Sequence, residues 1–379
     1  MHLFLSSKPA CGKTTLIKEI LKYLKNLKGF FTEEILNSKN ERVGFKIITL
    51  SGKEKVFAHI DFKSNFKVSK YFIDLDSFNS IALEELEDAK NSDCEFVVID
   101  EIGKMELLSN EFKNLCLDLI NKKRIIATIP AIEEPFIDSL KNRKDVYVLN
   151  LNKENFNEIK EKLLFALKAK PLSKIRETEE KAKKIGLDER ILIENASSYL
   201  ANEIFKLDIP KNIIVISGIG NNGADVLSCA RKLSARNYNV SVVILKEKEL
   251  KEEVIFQKNI LEKIKIPLCV IEEDNIKYLE DLIRDKEVIL DGIFGIGLNK
   301  EISNFFKNAI EIINKSKKIV ISCDIPSGIS ADNGFLMPIA VKADYTITFI
   351  APKFGFFLNE GKNFCGKIIL VDIGIPLDF

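Results

Sequence analysis

The sequence predicts two α/β domains in series, each of three layers, with a mostly parallel sheet covered by helices on both faces. Short apolar runs rich in β-formers alternate with helical patterns through both halves, the order expected of parallel strands joined by crossover helices. The 379 residues suffice for two or three domains, and 46% hydrophobic against 30% charged residues supports packed cores. At Lys168–Lys174 (KAKPLSK) a proline and a shortage of apolar residues interrupt the alternation. That break divides the chain into a domain at 1–168, a linker at 169–174 and a domain at 175–379.

In the first domain, strands are expected at Leu3–Leu5, Gly44–Leu50, Phe96–Ile99, Arg124–Ile129 and Val146–Leu151. Helices are expected at Lys13–Leu27, Asn110–Asn121 and Asn155–Leu167. The second domain opens with helices at Ile175–Ile185 and Glu189–Phe205. Its strands follow at Asn212–Ser217, Ser241–Leu245, Val288–Leu290, Lys318–Ser322, Tyr345–Phe349 and Lys367–Val371, with helical segments between most of them. The halves share a class but not a motif set.

Lys and Arg number 57 against 56 Asp and Glu. That balance gives no electrostatic ground for nucleic acid or an acidic membrane as partner. No apolar run approaches the ~20 residues that cross a bilayer, and the N-terminus lacks the marks of a signal peptide. Cys11, Cys94, Cys116, Cys229, Cys269, Cys323 and Cys365 are scattered, with no C-x-x-C pair. With only His2 and His59 as imidazoles, no zinc site is expected. Reduced, mostly buried thiols in a cytoplasmic protein are the expectation.

After the first strand comes Ser7-Lys8-Pro9-Ala10-Cys11-Gly12-Lys13-Thr14-Thr15, then an amphipathic helix. The pattern approximates G-x-x-x-x-G-K-[ST] between strand and helix, with Ser7 at the first glycine position. In such a loop, backbone N–H groups and the helix N-terminus hold phosphates. Lys13 would reach the β and γ phosphates, and Thr14 would ligate Mg²⁺. Serine is tolerated at position 7 if the backbone there avoids positive φ. The plainer alternative is an ordinary strand-to-helix turn with a surface lysine. A second signal favours the phosphate cradle. Phe96-Val-Val-Ile-Asp100-Glu101 is an apolar strand ending in two acids, at the sheet edge where ligands bind. Asp100 fits a role holding Mg²⁺ indirectly or through water, and Glu101 is placed to polarise an attacking water as general base.

Asp100-Glu-Ile-Gly-Lys-Met-Glu106, Gly29-Phe-Phe-Thr-Glu-Glu34 and Gly44-Phe-Lys-Ile-Ile-Thr-Leu50 resemble the small P-loop nucleoside triphosphatases of bacteria, archaea and animals. Ala127-Thr-Ile-Pro130 and Asn152-Lys-Glu-Asn155 agree, so the likeness covers about residues 1–168. It implies a P-loop NTPase fold and slow, Mg²⁺-dependent hydrolysis of several nucleoside triphosphates. Ser7 and Ala10 stand where that family normally has glycine. Arg143 and Lys104 are the candidates for a cation at the transferred phosphate.

In the second half, Asn212–Ser217 runs into Gly218-Ile-Gly220-Asn221-Asn222-Gly223-Ala224-Asp225 and a helix. G-x-G-x-x-G alone is weak. A dinucleotide dehydrogenase also wants an acid after the second strand, where this chain has Lys246. Asn221, Asn222 and Asp225 supply polar contacts or oxygen ligands beside the turn; local hydrogen bonding in an Asn-rich turn is the alternative. Two further strand ends bring Asp291-Gly-Ile-Phe-Gly295-Ile-Gly297 and Asp324-Ile-Pro-Ser327-Gly328 to the same edge. One acid at a strand end is often a helix cap; three polar strand ends make a shared crevice. Oxygen ligands from Asn222, Asp291 and Ser327 would suit a hard, weakly held cation. Asp324 is the candidate acid/base.

With Leu192-Ile-Glu-Asn195-Ala196, Ala351-Pro-Lys353 and Asp372-Ile-Gly-Ile-Pro376, these motifs resemble, in order, the NAD(P)H-hydrate epimerase family, the YjeF N-terminal-type domain. The likeness spans about residues 174–379. It implies a Rossmann-like YjeF N-terminal fold that interconverts the R and S forms of hydrated NADH or NADPH. It also implies a K⁺ ion on Asn222, Asp291 and Ser327. Substrate contacts fall on Asn221, Asn222, Gly223, Ala224 and Asp225, on the loop Gly295, Ile296, Gly297, Leu298, Asn299, Lys300 and Glu301, and on Asp324. Ala224 and Val226 stand where the family usually has glycine. Relatives of this type are often fused to a dehydratase; here the pathway implies a separate dehydratase partner. A homodimer is one assembly open to the chain. Two other readings stay open: a non-catalytic nucleotide-binding regulatory half, and an NAD-dependent dehydrogenase in the second half, which Lys246 weakens.

Overall fold

The structure, a computed structural model, describes residues 1–298 and 300–375. Asn299 and Pro376, each named above, lie outside the described residues. The chain divides into two compact units, Met1–Leu167 and Lys168–Phe379.

Unit 1 runs β1 (His2–Ser7), α1 (Lys13–Leu21), β2 (Leu27–Leu36), β3 (Arg42–Thr49), β4 (Glu54–His59), β5 (Lys67–Val68), β6 (Tyr71–Ile73), α2 (Leu75–Asn91), β7 (Phe96–Asp100), α3 (Asn110–Lys122), β8 (Arg124–Pro130), α4 (Pro135–Lys141), β9 (Val146–Asn150) and α5 (Phe156–Leu167). The sheet order is β5-β6-β4-β3-β2-β7-β8-β1-β9. The β2-β7-β8-β1-β9 portion is parallel. The remaining pairs are antiparallel, so this sheet is mixed rather than mostly parallel.

The expected first helix extends to Leu27, and the sequence pattern does not mark β2, β4, β5, β6, α2 or α4. The helix ends at Leu21, and Asn26 turns the chain that follows it into β2. Asn26 takes the left-handed backbone (φ 54°) that Asn tolerates, so that Leu27 pairs with Phe96. The hairpin β2–β3 is half-exposed and carries Glu33, Glu34, Arg42 and Lys46, which mask its period of two. Its turn is held by the Asn37 side chain, whose Oδ1 accepts from Lys39 N–H and Glu41 N–H. Under it, Phe30, Phe78 and Phe112 form a contiguous core, with Phe78 and Phe112 edge to face at 5.4 Å.

Unit 2 runs α6 (Leu172–Lys184), α7 (Glu189–Lys206), β10 (Asn212–Ser217), α8 (Asn221–Ser234), β11 (Asn239–Leu245), α9 (Glu252–Lys263), β12 (Leu268–Ile271), α10 (Tyr278–Arg284), β13 (Val288–Gly292), α11 (Asn304–Lys315), β14 (Ile319–Cys323), β15 (Tyr345–Phe349), α12 (Gly361–Phe364) and β16 (Lys367–Val371). The order β12-β11-β10-β13-β14-β15-β16 is parallel throughout. Along β10, Ile213 and Val215 face the core under α7, α8 and α9, while Ile214 and Ile216 face the core under α10 and α11. Strand order reverses between β10 and β13. A crevice at their C-terminal ends follows from that topology.

Residues 169–174, expected as a linker, are built into unit 2. Ala169 is fully buried. Lys170 N–H donates to the Pro352 carbonyl at 3.0 Å, and Leu172 N–H donates to Asp332 Oδ1 at 3.0 Å. Pro171 (φ −66°) is the N-cap of α6 rather than a break between domains. Among the described residues, no helix is long and apolar enough to cross a membrane.

Candidate functional site

In unit 1, β1 and β7 end on the same edge. Ser7 closes β1 in register with Pro130, an extended position open to serine. The strain falls instead on Ala10, in the left-handed region at φ 58°. Gly12 follows at φ 90° as the N-cap of α1, with no side chain accepting from the first turn. The turn's N–H groups are thereby left for a ligand. Lys13 is 8% exposed. Its Nζ lies 3.5 Å from the Ser7 carbonyl oxygen and 3.6 Å from Glu101 Oε2. Thr14 Oγ1 donates to Asp100 Oδ2 at 2.6 Å, and Thr128 donates to the other oxygen.

Burial pushes the Asp100 carboxyl up, against the pull of those two hydroxyls. Burial also raises Glu101, with Lys13 pulling the other way. Glu106 is raised to about 8, first by burial and then by the charge of Glu101; its Oε2 accepts from Gly103 N–H at 3.2 Å. Residues 8–15, Glu101, Lys104 and Glu106 line a cleft of about 890 Å³. Arg42, which sequence reasoning missed, stands on its wall with Phe45 and Tyr71. Its Nε donates to Tyr71 Oη at 2.9 Å and its Nη1 to Glu34 Oε1 at 2.5 Å. Arg143 does not reach the cleft. It is bonded to Asp145 through Nε and Nη2, next to the start of β1 at the opposite sheet edge.

In unit 2, α8 opens at Gly220, again with no side-chain cap. The turn before it is tight, since a Cβ on Gly218 would fall 2.0 Å from the Ile293 carbonyl oxygen. Asp291 is fully buried. It accepts from Ser327 Oγ at 2.6 Å, Ser322 Oγ at 2.8 Å, Ser327 N–H at 2.9 Å and Ile293 N–H at 3.2 Å. Burial raises its carboxyl and the Ser327 bonds oppose that. Asn222 Nδ2 donates to the Phe294 carbonyl at 3.0 Å, and Phe294 N–H donates to Ser327 Oγ at 2.9 Å. Asn222, Asp291 and Ser327 thus meet around one stretch of backbone. The donor set is oxygen only, with one carboxylate, a composition that fits K⁺ better than Ca²⁺ or Mg²⁺.

Asn221, Asn222, Asp225, residues 295–298, Lys300 and Asp324 line a cavity of about 500 Å³ at the crevice. Three residues expected as contacts are not brought to it. Gly223 lies beneath the turn, where a Cβ would meet the Gly218 carbonyl oxygen at 2.3 Å. Ala224 is fully buried in the core, its N–H donating to Gly220 at 3.1 Å. Glu301 is exposed and does not line the cavity. Val226 fills the space over Gly292, where a Cβ would come within 2.3 Å of its methyl. Lys246 pairs with Glu272 at 3.1 Å, so the ribose-binding acid of a dehydrogenase has no counterpart there.

Asp324 takes a left-handed backbone (φ 65°) that turns its carboxylate back over β15. Oδ1 accepts from Lys353 Nζ, from Thr348 Oγ1 at 3.1 Å and from Phe349 N–H at 3.3 Å. Lys353, only 1% exposed, also donates to Thr348 Oγ1 at 2.6 Å. The Ala351-Pro-Lys353 motif could have flagged this lysine as part of the site. Glu179 on α6 also lines the cavity, and no sequence signal marked it within a Glu- and Lys-rich helix. Burial, then the charge of Asp324, raises it to about 7. Asp225 is pushed well above the carboxylate range by burial and by Asp324 and Glu179.

The fold and its two strand-edge sites define a tandem of α/β nucleotide-type units, one built around a phosphate loop and one around an oxygen-lined crevice. Residues 2–164 match the family model described as NTPase, and residues 189–355 that of YjeF-related protein N-terminus. A nucleoside-triphosphatase THEP1 of Thermotoga sp. (strain RQ2) is 40% identical over 169 residues, 44% of this chain and 96% of the relative. An NAD(P)H-hydrate epimerase of Elusimicrobium minutum (strain Pei191) is 34% identical over 209 residues, 54% of this chain and 94% of the relative. A bifunctional NAD(P)H-hydrate repair enzyme Nnr of Thermofilum pendens (strain DSM 2475 / Hrk 5) is 34% identical over 200 residues, 52% of this chain and 38% of the relative. The chain belongs to both families: its first unit to the THEP1-type NTPases and its second to the NAD(P)H-hydrate epimerases.

Proposed function

We propose that the chain is a bifunctional enzyme, hydrolysing nucleoside triphosphates in unit 1 and epimerising hydrated NADH or NADPH in unit 2. For hydrolysis, the supporting observation is the convergence of Lys13, Thr14, Asp100 and Glu101 around a helix N-terminus with free N–H groups. Lys13 and those N–H groups bind the phosphates. Thr14 and Asp100, whose oxygens already touch, would hold Mg²⁺, which neutralises phosphate charge when bound. Glu101, partly desolvated, takes the proton of the attacking water. Lys8, Lys104 and Arg42 are further cations lining the cleft.

For epimerisation, the supporting observation is Asp324, paired with the buried Lys353, in the same cavity as Asn221, Asn222 and Asp225. Asn222, Asp291 and Ser327 would hold K⁺, which supplies a fixed positive charge when bound. Asn221, Asp225 and the loop from Gly295 to Lys300 orient the hydrate. Asp324 moves the proton of the hydroxyl on the hydrated carbon. The seven thiols are free, which agrees with a cytoplasmic setting. A separate dehydratase would consume the S form, and a homodimer is the proposed assembly. The test uses the purified full chain with two assays: phosphate release from ATP with Mg²⁺, and exchange between the two hydrate epimers followed by NMR with K⁺. Absence of either activity removes that half of the proposal.

A further inference from the structure

Inversion at the hydrated carbon breaks one C–O bond and makes another, and each event moves a proton. Asp324 has a cation in contact. A second carboxylate in the same cavity has none. On α6, Ile175, Thr178 and Ala182 form the buried stripe, and Glu179 stands on that stripe by helical spacing. Its helix neighbours are ordinary surface acids: Glu177 pairs with Lys174 and Lys181, and Glu180 with Lys183. Among the described residues, no donor lies within hydrogen-bond distance of Glu179. A half-buried carboxylate without a partner is costly unless it spends part of its time protonated.

We propose, resting on the epimerase reading above, that Glu179 is a second catalytic residue: the acid that protonates the leaving hydroxyl, with Asp324 as the base for the returning water. Glu179 gives its proton to the hydroxyl on the hydrated carbon. The C–O bond breaks with its electron pair on oxygen, and water leaves. The lone pair of the adjacent ring nitrogen forms a C=N bond. Water then adds to that carbon from the other face, the C=N pair returns to nitrogen, and the proton of the added water passes to Asp324. Transfer from Asp324 to Glu179 through cavity water restores the starting state. No oxidant or reductant is needed.

The surrounding charges agree with this division. Burial and then Asp324, at the end of β14, hold the proton on Glu179, while Lys353 beyond β15, and Lys183 and Arg176 on α6, pull the other way. Asp225 on α8 also faces this group, and burial, Asp324 and Glu179 push its own carboxyl well above the carboxylate range. The balance, near 7, leaves Glu179 able to give and retake a proton at neutral pH. That is the tuning expected of an acid paired with a differently placed carboxylate.

The experiment measures epimer exchange by NMR in the full chain with hydrated NADH across pH 5 to 9. Glu179→Gln is expected to slow exchange by about 10²-fold with hydrate affinity unchanged, and to erase the inflection near 7. Glu179→Asp, the conservative variant, is expected to restore part of the rate with a displaced inflection. Wild-type rate and an unmoved inflection in either variant would overturn the inference. A wild-type chain that exchanges no epimers would instead defeat the epimerase reading itself.

Discussion

The two units place the same device at the same point of an α/β sheet and give it opposite chemistry. In each, a strand leads through a glycine turn into a helix whose N-cap, Gly12 or Gly220, offers no side-chain acceptor to the first turn. In unit 1 the helix opens with Lys13 and Thr14, and the ammonium lies between the Ser7 carbonyl oxygen and Glu101. In unit 2 it opens with Asn221, Asn222 and, one turn on, Asp225, with no basic residue until Arg231. A glycine turn fixes how closely backbone approaches a ligand. The first five residues of the helix decide whether that ligand is a concentrated anion or a polar, hydrated ring beside a cation.

The sharpest way to break this contrast is Lys13→Ala. The substitution removes the ammonium held beside the Ser7 carbonyl and Glu101 and should lower phosphate release by about 10³-fold. Epimer exchange by the same preparation should be unchanged. Equal loss of both activities would show one coupled enzyme and end the comparison.

A smaller effect separates the two acids of unit 2. Asp324→Asn should slow epimer exchange by about 10²-fold while the hydrate still binds. Asp291→Asn should act mainly on affinity, because Asp291 accepts four hydrogen bonds behind the cavity and does not line it. Titration with K⁺ gives the readout: the Asp291 variant should need more of the ion, the Asp324 variant the same amount. If Asp324→Asn equilibrates the epimers at the wild-type rate, its catalytic assignment is wrong.

The same contrast explains what could be read from sequence. Strand ends that carry chemistry in adjacent residues, such as Asp100-Glu101 and Asp324-Ile-Pro-Ser327, were legible because an apolar run followed by acids has few other uses. The parallel unit 2 was traced almost strand for strand, since strands buried on both faces read as continuous apolar runs. In unit 1 the antiparallel strands escaped notice, because half-exposed faces carrying Glu33, Glu34 and Arg42 look like loops or helix surface. Glu179 was illegible for a related reason. Its meaning lies in which face of α6 is buried, and a helix of alternating Glu and Lys hides that face. Lys353 was seen as part of a motif but given no role, because its partner is 29 residues away.

The units should also differ in their response to pH. Glu106 holds its proton in the folded chain up to about 8. Below the ordinary value of 4.5, folded and unfolded forms are both protonated and stability does not change. Between 4.5 and about 8 only the folded form keeps the proton, so unit 1 loses stability as pH rises through that window. Glu106→Gln keeps the acceptor for Gly103 N–H and removes the titration. Thermal melts at pH 5 and pH 8 should show the variant flatter than wild type and more stable at pH 8, by on the order of 2 kcal/mol. An identical pH slope in both proteins would mean Glu106 is not the buried acid.

The finest contrast is one substitution made in both units. Ala10 and Ala224 each stand where the two families usually have glycine, yet their backbones differ. Ala10 is exposed and left-handed, at φ 58°, a conformation that costs a Cβ-bearing residue about 1–2 kcal/mol. Glycine there relieves that cost but gives part of it back as freedom in the unfolded chain. Ala10→Gly should therefore stabilise unit 1 by about 0.5–1 kcal/mol. Ala224 is helical and fully buried in the core under α8. Glycine there gains no relief, loses a packed methyl and costs about 1 kcal/mol or more in helix propensity and contact. Chemical denaturation of the two single variants should give shifts of opposite sign. Shifts of the same sign would mean that the loop at Ala10 is not held in the left-handed conformation, and that the missing glycine in the phosphate turn carries no strain.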